Sequence, residues 1–224
     1  MIKSERFMSL GLSFLPFIFV LLTFSSIPEI IPLRFGLNGA IRYGNRIEIF
    51  ILPIAAIAMQ LLWLVIEKLA MRRKESGAQN TKMLIWCNFM LTLIFAIVTI
   101  WLIHAAIDGT GTLTDGRFDL QRMLAVILSI MCIGIGNLLP KCKQNKLIGI
   151  RLSWTLSSEL NWFKTHRFAA KAYILYGIIA TPLCLFVFDG RAGLLFTAAG
   201  ILALLVIISC YSYHIHRYEH SNKH

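Results

Sequence analysis

The sequence predicts an all-α integral membrane protein with six transmembrane helices. Of its 224 residues, 57% are hydrophobic and only 15% are charged, and the mean hydropathy is +0.70. Soluble domains contain about 45–50% apolar and about 25% charged residues. The apolar excess is more than a water-soluble fold of this length can bury. The composition therefore excludes a soluble globular domain, a disordered chain and a disulfide-rich secreted module.

Six apolar runs are long enough to cross the hydrocarbon layer, which takes about 20 helical residues with a range of about 17–25. They lack the alternation of a membrane β-barrel, so their backbones must be satisfied as helices. The first run follows a basic start, as in a signal peptide, but Pro16 and several phenylalanines favour a retained span. The runs are Phe7–Phe24, Ile49–Ile66, Met83–Ile103, Met123–Leu139, Ala172–Phe188 and Gly193–Tyr211.

The distribution of Lys and Arg predicts that both termini lie in the cytoplasm. With that orientation the inner segments contain 16 of these residues and the outer segments 6, an asymmetry that agrees with the positive-inside rule for membrane proteins. The chain then divides into two parts. Residues 1–70 form a two-span unit with a structured extracytoplasmic loop, and residues 71–224 form a four-span unit with a long cytoplasmic loop at 140–171.

The outer loop, residues 25–47, has the composition of a compact, structured segment. Pro28 and Pro32 favour extended or turn backbone, and Asn38-Gly39 and Gly44-Asn45 are turn dipeptides. The simpler interpretation is a connector with basic residues in the lipid headgroups. Those residues are Arg34, Arg42 and Arg46.

The inner loop, residues 140–171, is long enough to have structure or function of its own. Its second half predicts a helix with Thr155 or Ser157 as N-cap and Glu159 in the first turn. We expect this helix to lie in the inner membrane interface and then to turn into the fifth span. One stripe of the helix carries Trp162, His166, Ala170 and Tyr173.

A second stripe on the same helix is basic: Lys164, Arg167 and Lys171. Attraction to phospholipid is its simplest interpretation, and a docking surface for a cytoplasmic partner is the alternative. His166 lies between two cations, which favours a hydrogen-bonding scaffold residue over a proton-active group.

No enzymatic motif is present, and we predict no catalytic residues, no metal and no cofactor. The five cysteines have no paired spacing. The outer loop between the third and fourth runs is most simply a solvated acidic loop, and the histidine-rich carboxyl terminus a frayed polar tail. Metal binding is the alternative at both segments. A small transporter or channel is the alternative function, although the spans offer few polar groups. The residues concerned are Asp108, Asp115 and Asp119 in that loop, His214, His216, His220 and His224 in the tail, and Gln60, Asn88, His104 and Asn137 in the spans.

The two loops resemble those of the SdpI family of bacterial six-span membrane proteins. The inner loop carries the closer resemblance, through rare residues in order. They are Gly136-Asn137, Pro140-Lys141, Asn145, Gly149-Ile150-Arg151, Trp154-Thr155-Leu156-Ser157, Trp162 and Thr165-His166-Arg167. The outer loop is similar to the small domain of unknown function that begins such proteins, through Pro28, Pro32, Gly39, Tyr43 and Gly44. It departs from that pattern at Arg34-Phe35 and within 40–42.

The resemblance implies a membrane immunity protein that protects against a secreted antimicrobial peptide toxin. It also implies that toxin binding is relayed by recruiting a cytoplasmic transcriptional repressor, without direct nucleic-acid binding by the chain itself. The expected partners are therefore membrane lipid, a peptide toxin and a repressor protein. The candidate binding residues are Asn137, Asn145, Gly149, Arg151, Trp154, Thr155, Trp162, His166 and Arg167 inside, and Arg34, Asn38, Gly39 and Tyr43 outside. Reversing the charge of Arg151 or Arg167 is predicted to abolish recruitment.

Overall fold

The computed structural model describes residues 2–36, 39–72, 78–108, 119–146 and 148–221. Within these ranges the chain is mostly helical, with one pair of strands. The helices are α1 Ile2–Thr23, α2 Ile51–Arg72, α3 Ala78–Asp108, α4 Leu120–Leu138, α5 Ser153–Ser157, α6 Glu159–Pro182 and α7 Gly190–Ser221. The strands are β1 Ile30–Gly36 and β2 Gly39–Asn45.

Five segments are helical, long and apolar enough to cross a membrane. They correspond to the second to sixth predicted runs, and they make the chain a multi-pass membrane protein. A shorter apolar helix, Leu10–Ser26, overlaps most of the first run, and its span and the orientation of the termini stay predictions. The five segments are Arg46–Lys68, Met83–Asp108, Leu120–Lys141, Glu159–Val187 and Gly190–Glu219.

The chain folds as two compact units. The first comprises residues 1–68 and 85–124, and the second comprises residues 69–84 and 125–224; the predicted boundary at residue 70 stays a prediction. In the first unit, Ile31 of β1 is fully buried in one cluster with Val20 of α1, Ile49 and Ile103 of α3. This burial fixes the hairpin on the ends of the helices.

The predicted outer loop is structured, and its structure is an antiparallel β-hairpin. Ile30 pairs with Asn45 and Pro32 with Tyr43, and the register becomes irregular after Pro32, which lacks the N–H that a regular ladder needs. The Asn45 side chain accepts the Ile47 N–H at 2.9 Å, while the Glu48 carboxylate accepts the Asn45 N–H at 3.2 Å. This reciprocal capping directs the chain from the hairpin into α2.

In the second unit, two glycines allow α4 and α6 to pack closely. A Cβ atom at Gly136 would lie 2.8 Å from the Ala170 carbonyl oxygen, and one at Gly177 would lie 2.5 Å from the Ser129 carbonyl oxygen. Small residues commonly permit such approach of membrane helices. Gly136 of the family-like motif therefore serves helix packing, and α4 continues to Leu138.

The predicted turn from an interfacial helix into the fifth span is wrong. Helix α6 is continuous from Glu159 to Pro182, because residues 169–172 are Ala-Ala-Lys-Ala, all good helix formers. Its N-cap is Ser158, whose side chain accepts the Asn161 N–H at 3.1 Å. The predicted N-caps Thr155 and Ser157 belong instead to the short helix α5.

Two further expectations about polar segments need correction. Helix α7 extends to Ser221, so the carboxyl-terminal residues before it are helical rather than frayed. Asp119 is not merely a solvated acid, since its carboxylate accepts the Arg122 N–H at 3.0 Å and caps α4. Asp115 and His224 lie outside the described residues.

Candidate functional site

The segment that precedes α6, which we call the inner segment, begins with a turn that one buried side chain closes. The Asn145 amide nitrogen donates to the carbonyl oxygens of Lys143 at 2.6 Å and Ile148 at 3.1 Å. Its side-chain oxygen accepts the Ile148 N–H at 2.8 Å. One amide thus satisfies three backbone groups, which is the chemistry that favours asparagine in tight turns.

Gly149 follows this turn and lies against two rings of α6. Its φ angle is +114°, a conformation that glycine adopts at low cost. A Cβ atom here would lie 2.6 Å from His166 Nε2 and 2.9 Å from Trp162 Cη2. Backbone conformation and space both require glycine at this position.

His166 and Trp162 hold the backbone on either side of Gly149. His166 Nε2 accepts the Ile150 N–H at 3.1 Å, and Nδ1 lies 2.8 Å from the Trp162 carbonyl oxygen. A carbonyl only accepts, so Nδ1 carries the proton and the ring is the neutral tautomer. The Trp162 indole donates to the Cys142 carbonyl oxygen at 2.9 Å, and the two rings stack with centroids 4.0 Å apart. This geometry is that of a scaffold residue.

Thr155 fixes the start of α5. Its buried hydroxyl lies 2.8 Å from the Ile150 carbonyl oxygen and accepts the Leu152 N–H at 2.9 Å. At the other end of this helix, the Gln144 amide donates to the carbonyl oxygens of Thr155 and Leu156 at 2.9 and 3.0 Å. Side chains therefore satisfy both ends of a helix too short to be stable by itself.

A buried polar cluster joins this segment to α7. Its members are Asn161 and Thr165 of α6 and Ser212 of α7, all fully buried. The Asn161 amide donates to the Ser212 carbonyl oxygen at 3.0 Å, and the Ser212 hydroxyl lies 2.9 Å from the Asn161 side-chain oxygen. The Thr165 hydroxyl is within 3.0 Å of both partners. Such a satisfied network fixes one arrangement of the two helices.

Trp154 of α5 extends this connection toward the carboxyl end of α7. Its indole N–H donates to the Ser212 hydroxyl at 3.0 Å, and its ring packs against Tyr213 and His216 at centroid distances of 5.4 and 6.1 Å. Ser158 adds a hydrogen bond to Glu219 at 3.0 Å. The carboxyl-terminal part of α7 therefore packs against the inner segment.

The structure divides the predicted binding residues into two groups. Those that build the segment turn inward: Asn145, Gly149, Trp154, Thr155, Trp162 and His166. The predicted binding residues that are exposed, and so available to a partner, are Arg151, Arg167, Asn137 and Tyr43. Gly39 begins β2, and nothing is described of Asn38 or of the Arg34 side chain. Binding by any of them stays a prediction.

Sequence reasoning missed the residues that complete the segment from a distance. Ser212 lies 51 positions from Asn161, and Gln144 lies 11 from Thr155. One local signal was present, since Asn161 and Thr165 are four positions apart on one helical face. Nothing in the sequence singles out Ser212 from the other small polar residues of the last span.

Comparisons with known proteins agree with this architecture. Residues 141–212 match the SdpI/YfhL protein family, and residues 11–57 match a domain of unknown function (DUF1648). The first match begins at the turn before Asn145 and ends at Ser212, so it spans the hydrogen-bonded segment. The second covers most of α1 and the whole hairpin.

One curated relative is similar over nearly the whole length. The chain is 27% identical over 206 residues to the Immunity protein SdpI of Bacillus subtilis (strain 168), and the match covers 91% of each protein. No solved structure matches significantly. The two family matches, their order along the chain and the full-length similarity together support assignment of the chain to the SdpI family.

Proposed function

We propose that this chain is a membrane immunity protein that protects a bacterial cell from a secreted antimicrobial peptide. The observation that carries the proposal is the similarity to a protein named an immunity protein over 91% of both chains. Such length leaves little room for a different domain arrangement. The multi-pass architecture supports this proposal, because a peptide that acts on the membrane has to be bound in the membrane or at its surface.

The proposed site of peptide capture is the hairpin. Ile30, Tyr43 and Ile47 leave more than half of their surfaces exposed, and Arg42 forms an ion pair with Glu48 at 3.2 Å beside them. An amphipathic peptide can bury apolar surface on such residues, at about 25 cal/mol per Å². Its charged groups can meet the neighbouring ion pair at the rim.

This proposal predicts that the wild-type protein raises the inhibitory concentration of at least one membrane-active peptide in a sensitive bacterium. We expect Tyr43→Ala to lose most of that protection, because truncating a tyrosine that is a binding hot spot costs about 2 kcal/mol or more. Growth inhibition is measured across a peptide panel at matched expression. Ile54→Ala, which alters an exposed side chain of α2, is the control and should protect like wild type. Equal protection by Tyr43→Ala would remove the hairpin from the site.

We further propose that the inner segment reports peptide binding by recruiting a soluble repressor. Arg151 supports this role because it is exposed and follows Ile150, whose backbone is held by His166 and Thr155. An exposed, charged side chain on an ordered backbone is a suitable contact for an acidic protein surface. Hydrogen bonds join this segment to α7. A bound peptide that shifts α7 would therefore also shift the segment that contacts the repressor.

Charge reversal tests the relay. Arg151→Glu is expected to abolish co-sedimentation of the recruited repressor with membranes, while insertion and expression are unchanged. Purified candidate repressors of the host are mixed singly with membranes that contain each variant. Arg191→Glu, an exposed cation at the start of α7, is the matched control. Recruitment by Arg151→Glu at the wild-type level would exclude this residue from the relay.

One observation favours the transporter alternative. In the described part of the first unit, Gln60 Oε1 and Asn88 Oδ1 are buried within apolar helices and have no hydrogen-bond partner. Polar groups at such depth are costly and often line a pathway. Indifference to every peptide, together with ion flux through liposomes containing the purified protein, would replace immunity with transport.

A further inference from the structure

A cationic groove lies on the second unit, between the first turns of α6 and the side of α7. Its volume is about 360 Å³, within the range of about 300–1,000 Å³ of small-molecule sites. Lys164, Arg167 and Lys171 of α6 line it together with Phe163, Phe168 and Tyr211. We call it the basic groove, and the proposed immunity function does not depend on it.

The charges of the basic groove are available to a ligand. All three cationic side chains are exposed, and no carboxylate in the described part of the chain pairs with any of them. The groove therefore concentrates three positive charges along two turns of one helix. This arrangement of charges favours a ligand that carries negative charge.

Aromatic rings give the basic groove a defined surface. Phe168 stacks on Tyr211 with centroids 4.1 Å apart, and the Arg167 guanidinium lies 5.2 Å from the centre of the Phe163 ring. This cation–π contact restrains the guanidinium, whose N–H groups form a planar fork. That fork suits the oxygens of a phosphate group.

The position along α6 indicates where the occupant comes from. Lys164 and Lys171 are about 10 Å apart along a helix that rises about 1.5 Å per residue. The headgroup layer on each side of a bilayer is about 5–8 Å thick. The apolar run Ala172–Phe188 begins directly after Lys171. The three cations therefore lie where a span leaves the hydrocarbon and phosphates are abundant.

We propose that the basic groove binds the phosphate headgroup of an anionic phospholipid. Basic pockets between membrane helices are known to take such headgroups, and each cation near the surface contributes about 1 kcal/mol. Lipid is favoured over a soluble partner because the groove lies on a helix that continues into the membrane. Its aromatic rings also suit the mixed polarity of the interface.

Native mass spectrometry of the full-length protein tests this proposal. The protein is purified in micelles that contain equal amounts of dioleoyl phosphatidylglycerol and dioleoyl phosphatidylcholine. We expect wild type to retain the anionic lipid preferentially, and the triple variant Lys164→Gln, Arg167→Gln, Lys171→Gln to bind it at least about tenfold more weakly. The charge-preserving double variant Lys164→Arg, Lys171→Arg, which keeps the Arg167 guanidinium, should still retain it.

A matched control removes three exposed cations from outside the basic groove: Lys141→Gln, Lys146→Gln, Arg217→Gln. This variant should retain the lipid like wild type, and unchanged elution and helix content establish folding of every variant. An equal loss in the control would mean attraction by net charge alone and would overturn the proposal. So would equal retention of phosphatidylcholine by the wild type. If the groove variant keeps the lipid but no longer recruits a soluble repressor, the groove is a protein-docking site and the proposal is wrong.

Discussion

Gly149→Ala is expected to open the inner segment while leaving the membrane helices folded. The added methyl would meet His166 Nε2 and the Trp162 ring at 2.6 and 2.9 Å, and alanine would also be strained at a φ angle of +114°. Backbone strain of this kind costs about 1–3 kcal/mol. Moving the rings would in addition break the hydrogen bond from Ile150 to His166.

Limited trypsin digestion of the solubilised protein measures this opening, because cleavable basic residues lie in and beside the turn. A loss of about 3 kcal/mol would raise cleavage on the order of 100-fold when opening is rapid and reversible. Gly193→Ala in the same unit is the control, since its Cβ atom would meet its nearest neighbours at an ordinary 3.6 Å. Equal protection of Gly149→Ala and wild type would show that the turn does not depend on the rings of α6.

Trp162→Ala is expected to have the larger effect on stability. The side chain is only 3% exposed, stacks on His166 and donates to the Cys142 carbonyl oxygen. Truncating a buried tryptophan to alanine costs about 3–5 kcal/mol. The cavity would separate the turn from α6, and the Cys142 carbonyl would lose a donor.

A graded series separates the two contributions of Trp162. Trp162→Phe should keep most of the ring packing and lose the indole hydrogen bond, so we expect a loss of about 1–3 kcal/mol. Thermal unfolding in detergent and near-ultraviolet circular dichroism report the order of the aromatic cluster. Leu175→Ala, an exposed position on the same helix, should leave both unchanged. A Trp162→Ala variant as stable as this control would contradict the packing described above.

The family-like motif has a structural role, and the docking role that the sequence suggested for it stays a prediction. From the sequence alone, a polar and aromatic segment between two spans is predicted to be a docking surface. In the structure, Asn145, Thr155 and Trp162 are buried and hydrogen-bond to the backbone of the same segment. The motif therefore fixes the backbone conformation of this segment. The exposed side chains are those of Arg151 and of the cations of the basic groove.

The sequence alone determined the class of protein, its apolar segments and its resemblance to a family, because hydropathy and local motifs do not depend on which segments meet. It also predicted that Trp162, His166, Ala170 and Tyr173 share one helical stripe, since a helix has a fixed period, and the structure shows that this stripe is buried. Only the tertiary structure decided that the outer loop packs as a hairpin on residues of α1 and α3, and that Ser212 closes the polar cluster. Each depends on a partner distant in the chain, and a hydrogen bond across 51 residues leaves no local pattern by which to find it.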